Sequence, residues 1–138
     1  MKFVLDASTT AAWCFPDERT PQTQRLLADL AGPSAALVPR LWAYEIRSVL
    51  VKGLRRERIG HEDAQAFLDS LAALPIRLLD PLYDSVFRTA LQFDLGFYDA
   101  AYLDLAMREG LPLATLDRQL QKAASAANVA LYDDSSHP

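Results

Sequence analysis

Cysteine is all but missing from this chain: Cys14 stands alone among 138 residues, so no internal disulfide can form. Histidine is nearly as scarce, and His61 and His137 lie far apart in sequence. The closely spaced sulfur and imidazole ligands of a zinc site are therefore excluded. Long apolar runs are also lacking, and none approaches the ~20 residues that a membrane span requires. No basic stretch leads into an apolar one near the N-terminus, so no signal peptide is expected and a reducing cytoplasm is the expected location. Basic charge is in deficit, with 14 Lys and Arg against 18 Asp and Glu, a net charge of −4. A polyanion such as a nucleic acid would meet a mildly repulsive field overall, so any attraction has to be local.

What is present is the profile of a folded domain. Hydrophobic residues make up 51% of the chain, charges are interspersed, and Pro and Gly punctuate short segments instead of filling long ones. This length supports one full core but not two, and no repeat, low-complexity tract or linker divides it. Residues 1–138 are read as a single domain, with 133–138 as a mobile tail.

Lys2-Phe3-Val4-Leu5 is a short apolar run ending at Asp6 and reads as a buried strand. Similar runs recur at Ala36-Leu37-Val38, Ile76-Arg77-Leu78-Leu79, Leu113-Ala114-Thr115 and Val129-Ala130-Leu131. Helical signals fill the intervals. Thr20 before Pro21 and Asp80 before Pro81 each put a capping side chain ahead of proline at a first helical position. His61 begins a helix with Glu62 and Asp63 in its first turn, and Gly110 reads as a helix stop. Trp42, Ile46, Val49, Leu50 and Gly53 recur on one helix face. Strands alternating with helices predict an α/β fold with a parallel, helix-covered sheet.

In such sheets ligands bind beyond the carboxyl ends of the strands. Two of those ends carry aspartate: Asp6 closes the first strand, and Asp117 follows Leu113-Ala114-Thr115-Leu116. Each could simply cap the following helix, a role compatible with metal binding. Glu45 falls within roughly 60° of the apolar stripe through Trp42 and Val49; its alternative role is a rim carboxylate paired with Arg47 or Lys52. Asp99 opens a helix on which positions 99, 102, 103 and 106 share a face that is otherwise apolar or small. Asp104 projects from another side and is expected to be a solvated surface charge. Carboxylates converging at one sheet end repel one another unless a cation compensates. An all-oxygen set suits a hard ion, Mg²⁺ or Mn²⁺.

With these residues in place, the chain resembles the PIN domain in its bacterial VapC toxin branch. Val4-Leu5-Asp6-Ala7-Ser8, with Trp13 and Pro16-Asp17-Glu18, is similar to the family's opening. Pro39-Arg40-Leu41-Trp42-Ala43-Tyr44-Glu45-Ile46 resembles its second motif. Tyr98-Asp99-Ala100-Ala101-Tyr102 with Leu105-Ala106, then Leu113-Ala114-Thr115-Leu116-Asp117-Arg118-Gln119-Leu120, resemble the third and fourth. The four occur in order over nearly the whole chain.

The resemblance implies a PIN-like three-layer α/β/α fold with a central parallel sheet of about five strands. It also implies a Mg²⁺-dependent endoribonuclease, with Mn²⁺ as a substitute ion, that serves as the toxin of a VapBC-type pair. Asp6, Glu45, Asp99 and Asp117 fall on the catalytic positions, Asp6, Asp99 and Asp117 being the metal ligands and Ser8 and Thr115 their polar supporters. A VapB-like antitoxin that occupies the acidic groove and a homodimer are implied as partners. Ser48 departs from the family, which often has Asn at this place. Lys52, Arg55, Arg56 and Arg58 form the densest basic run and are the expected RNA contacts, unless they only balance a helix C-terminus. Trp13, Phe15, Phe87 and Phe97 are more aromatic surface than a small core obviously needs. The rival readings are an RNA-processing nuclease outside toxin systems, a silent partner-binding PIN domain, and a phosphoacceptor module. The last calls for a Lys near the end of the last strand, where Val129-Ala130-Leu131-Tyr132 has none.

Overall fold

Phe3, Val4 and Leu5 have no solvent exposure at all, the mark of a parallel strand covered on both faces. In the computed structural model, which describes residues 1–132, they form β1 (Lys2–Leu5). The tail expected at 133–138, with His137, lies outside the described residues. β1 pairs in parallel with β2 (Ala35–Pro39) on one side and β4 (Leu113–Ala114) on the other, and β2 pairs with β3 (Ile76–Leu79). Among the described residues the sheet has four strands, in the order β3-β2-β1-β4. Helices α1 (Ala7–Ala12) and α2 (Pro21–Ala31) connect β1 to β2. Helices α3 (Leu41–Arg55) and α4 (His61–Ala72) connect β2 to β3, α5 (Tyr83–Phe93) and α6 (Phe97–Glu109) connect β3 to β4, and α7 (Arg118–Ala126) follows. The sheet is thus all-parallel and covered by helices, as expected.

The fifth expected strand is reduced to one bridge. Leu113 N donates to Ala130 O and Tyr132 N donates to Leu113 O, both at 2.9 Å, and among the described residues the pairing goes no further. Ala130 is exposed and Val129 only half-buried, so no covering layer favours a longer strand at this edge.

Several local signals act as read. Thr20 and Thr23 form a reciprocal capping box ahead of Pro21, and α4 begins at His61. Gly110 ends α6 in the left-handed region at φ 65°, a conformation that a Cβ disfavours. On α3, Trp42, Ile46, Leu50 and Gly53 are buried. A Cβ on Gly53 would stand 3.1 Å from the Phe15 ring, so glycine is what lets Phe15 pack there.

Asp80 does not cap a helix. Its carboxylate pairs with the Arg40 guanidinium, and α5 starts later, at Tyr83, without a side-chain cap. Trp13 and Phe15 are buried, whereas Phe87 and Phe97 are exposed.

Asp104 corrects the expectation of a surface charge. Helix α6 packs on β1, β2, β4, α5 and α7, so residues from Ala100 to Ala106 are buried on every side. Asp104, 4% exposed, accepts hydrogen bonds from Ser85 Oγ at 2.7 Å and Thr89 Oγ1 at 2.8 Å. Position on a helix decides burial only when the number of packing neighbours is known, and α6 has neighbours all round. The Asp104→Ala substitution would orphan both hydroxyls, at a cost of ~1–3 kcal/mol. A fall of that size in unfolding free energy is expected by urea titration, and an unchanged midpoint would refute this role.

Candidate active site

β1 leads through α1 and α2 to β2 on one side, whereas β4 lies on its other side. Strand order therefore reverses at β1, and such a reversal opens a crevice at the carboxyl ends of the two strands. Asp6 N donates to Ala114 O at 3.1 Å, closing the β1 and β4 ends together. Asp6 follows β1 and caps α1, its Oδ1 accepting from Thr9 N at 2.9 Å. Ser8 Oγ lies 3.0 Å from both carboxylate oxygens. Thr115 Oγ1 donates to Asp6 Oδ2 and accepts from Asp117 N. Asp117 in turn caps α7, accepting from Leu120 N at 2.9 Å. The capping readings of Asp6 and Asp117 both hold, and Ser8 and Thr115 both bear on Asp6.

Glu45 arrives from α3. Trp42 Nε1 donates to Thr10 Oγ1 at 3.0 Å, and Thr10 Oγ1 donates to Asp6 O at 2.9 Å. This relay docks the start of α3 on α1 and sets Glu45, one turn beyond Trp42, at the crevice. The rim pairing with Arg47 or Lys52 does not occur: Arg47 donates to Ala43 O, and Glu45 Oε1 accepts from the Tyr102 hydroxyl at 2.8 Å. Tyr102, 2% exposed, lies one turn beyond Asp99 on α6. Its role escaped the sequence reading, although a buried tyrosine hydroxyl needs a partner and that need was a usable signal. Asp99 is half-buried in the first turn of α6 and accepts no hydrogen bond among the described residues.

The carboxylates act on one another. Burial raises the Asp6 pKa, against hydrogen bonds from Thr115, Thr9 and Ser8. Burial also raises Glu45, which the charges of Asp99 and Asp6 push further, while the Tyr102 donor opposes them. Asp99 is raised by burial and then by Asp117 and Asp6. No Lys or Arg offsets this charge at any of the three. Burial, and then Glu45, hold the Tyr102 hydroxyl firmly protonated, so it remains a donor.

Among the described residues, no three acidic, His or Cys side chains stand in a ready cage for an ion. The donors are nonetheless oxygen only and carry uncompensated negative charge, which fits a hard divalent cation.

The basic run is not brought to the crevice. Lys52 and Arg55 lie in the last turn of α3, about 10 and 15 Å along its axis from Glu45 at 1.5 Å per residue. Arg58 is held by Asp17 and Glu18 and stacks over Phe15, 4.2 Å from the ring centroid. Ser48 is exposed.

The family profile described as the PIN domain matches residues 3–126. Ribonuclease VapC3 of Pyrobaculum aerophilum is 36% identical over 124 residues, covering 87% of this chain and 92% of its own. Among solved structures, PAE2754 from Pyrobaculum aerophilum superposes with a TM-score of 0.72 at 27% identity, over 89% of this chain and 84% of that one. VapBC2 from Rickettsia felis, bound to a DNA fragment from its promoter, gives 0.67 at 16% identity, over 96% and 98%.

Carboxylates that bind protons more tightly folded than unfolded stabilise the fold at low pH, and this stability is lost as pH rises through the raised folded values. Above the ordinary values of 3.8 for Asp and 4.5 for Glu, the metal-free protein should therefore lose thermal stability toward neutral pH. The loss should be smaller in Asp99→Asn. Melting temperatures measured in chelator across this range check it, and equal slopes in both proteins would disprove the repulsion.

Proposed function

The chain belongs to the PIN-domain family, and from that premise we propose that it is a Mg²⁺-dependent endoribonuclease, the toxin of a VapBC-type toxin-antitoxin pair. The observation that carries this reading is the convergence of Asp6, Glu45 and Asp99 at the β1 and β4 ends, where burial raises all three, neighbouring carboxylate charges raise Glu45 and Asp99 further, and no basic side chain among the described residues offsets them. Asp6, Asp99 and Asp117 are the groups to hold the ion. When bound, a divalent cation supplies positive charge toward a phosphate and acidifies a coordinated water.

The chain's own residues do the rest. Ser8 and Thr115 fix the Asp6 carboxylate in one orientation, as outer partners of metal ligands do. Tyr102 occupies Glu45 Oε1 and leaves the second oxygen to accept a proton from an attacking water. Raising the Glu45 pKa above its ordinary value makes it a better base for that step. Lys52, Arg55 and Arg56, exposed at the far end of α3, are left to meet phosphates further along the strand.

An antitoxin of VapB type is the proposed partner, its arginine or lysine entering the crevice against the carboxylates. A homodimer is proposed as well. Tyr83, Phe87 and Leu91 are exposed at one-turn spacing on α5, an apolar stripe available to it. Among the described residues no helix is long and apolar enough to cross a membrane, which suits the cytoplasm proposed for this pair.

Purified protein should cleave single-stranded RNA with Mg²⁺ or Mn²⁺ and stop in chelator. Asp99→Asn should lose at least ~100-fold in rate while keeping its fold. Thr115→Val should lose ~10–100-fold in metal affinity. Mg²⁺ should raise the melting temperature of wild type but not of Asp6→Asn, because only the native cluster binds the ion. Full activity in folded Asp99→Asn, or equal Mg²⁺ shifts in both proteins, would overturn these assignments.

The partners give a further expectation. A basic antitoxin segment should inhibit less as Mg²⁺ rises, and light scattering should show a dimer that Phe87→Glu weakens. Metal-independent inhibition would place the antitoxin elsewhere, and a monomer at all concentrations would refute the dimer.

A further inference from the structure

Helix α3 has two unlike sides. Glu45 turns toward the crevice, where Tyr102 holds it. The outer side carries Tyr44, Ser48, Val51 and Arg55 at helical spacing, all of them exposed. Tyr44 is 79% exposed, an unusual position for an aromatic ring. From Arg40 to Arg56 the one acidic residue in the sequence is Glu45, so this outer side is free of negative charge in a chain whose net charge is −4.

At the start of α3 the outer side opens into a cleft of about 310 Å³ lined by Arg40, Ala43, Tyr44, Arg47 and Leu78. Arg40 is paired with Asp80, both side chains being exposed, a contact worth little in water. Arg47 donates to Ala43 O at 2.9 Å and meets no carboxylate among the described residues. A bare aromatic ring beside an uncompensated guanidinium suits one nucleotide of a single strand, the base stacking on the ring and the phosphate meeting the charge. An acidic peptide would use the charge but bring nothing planar to the ring. Tyr44 immediately precedes Glu45, and no more than about the width of a helix, 10–12 Å, separates the cleft from the crevice. A strand whose scissile phosphate lies at Glu45 therefore reaches Tyr44 within a few nucleotides.

We infer that the outer side of α3 is a track for single-stranded RNA, on which Tyr44 stacks the base of a nucleotide flanking the cut and Arg47 holds its phosphate. The inference rests on the nuclease reading above. Beyond Tyr44 the same stripe leads to Arg55 near the end of α3, which gives the bound strand its direction.

Anisotropy of a labelled, mixed-sequence RNA oligomer, read at low salt in chelator so that binding is followed without metal-dependent cutting, tests the track. Both side chains are exposed, so Tyr44→Leu and Arg47→Gln should melt as wild type does. Tyr44→Leu should bind about ten-fold more weakly with an unchanged salt dependence, whereas Tyr44→Phe should bind as wild type does. Arg47→Gln should lower the slope of log affinity against log salt by about 0.7. With Mg²⁺, Tyr44→Leu should cleave with a raised KM and a near-normal kcat, because stacking on a flanking base is alike in the ground and transition states. Failure of wild type to cut any RNA would overturn the nuclease reading, and the anisotropy would then decide the track by itself. Three results would each overturn the inference: equal affinity in wild type and Tyr44→Leu, displacement of the oligomer by polyglutamate as readily as by unlabelled RNA, or a wild-type dimer that light scattering finds monomeric in Tyr44→Leu.

Discussion

A carboxylate at the end of a wholly buried strand must be met by donors or it destabilises the fold, and Asp6 is met from two directions. Ser8 and the Thr9 amide come from the first turn of α1, and Thr115 comes from beyond β4. Each donor ties a different part of the chain to one side chain. Asp6 therefore stitches the β1 and β4 ends to each other as well as beginning α1. Thr115 passes the constraint on, because its hydroxyl also accepts from the Asp117 amide and Asp117 starts α7. The backbone of Asp6 carries the tie toward α3 through Thr10 and Trp42.

The same arrangement sets the charge problem of the site. Hydrogen bonds lower the Asp6 pKa, but burial outweighs them, and Glu45 and Asp99 add repulsion of their own. No Lys or Arg among the described residues relieves this at Asp6, Glu45 or Asp99, and an ion from solution is the counter-charge that the proposed function supplies. That also reconciles a net charge of −4 with an RNA substrate. On the proposed reading, attraction for phosphate would come locally, from a bound cation and from Lys52, Arg55 and Arg56 some distance along α3, without a basic face over the whole molecule. Arg58 is spent on Asp17, Glu18 and Phe15, which holds the Pro16–Glu18 turn against the end of α3.

Polar groups inside this fold divide by how completely they are satisfied. Asp104, Tyr102 and Thr10 are buried and hydrogen-bonded, and each fixes one helix against another. Thr9 Oγ1 is buried without a well-aligned hydrogen-bond partner among the described residues, and its side chain bears on the Asp6 carboxylate one helical turn away.

Local signals in the sequence determined much of this protein. The buried β1 run, the Thr20 capping box, the α4 start at His61 and the Gly110 stop depend on neighbours within a few residues, and each stands as read. That the carboxylates at positions 6, 45, 99 and 117 come together was legible as an expectation, because their motifs occur in order and strand ends in α/β sheets are where ligands bind. Tertiary packing decided what depends on distant partners. Asp80 was drawn to Arg40 instead of capping a helix, and Val129 and Ala130 lacked the cover that would have extended a fifth strand. Asp104 went inside because α6 is enclosed on every side, while Phe87 stayed outside on α5. Glu45 took Tyr102 from another helix instead of a base on its own. A helix period places a side chain on a face, but only the assembled fold says what that face meets, and for a polar group that partner decides its role.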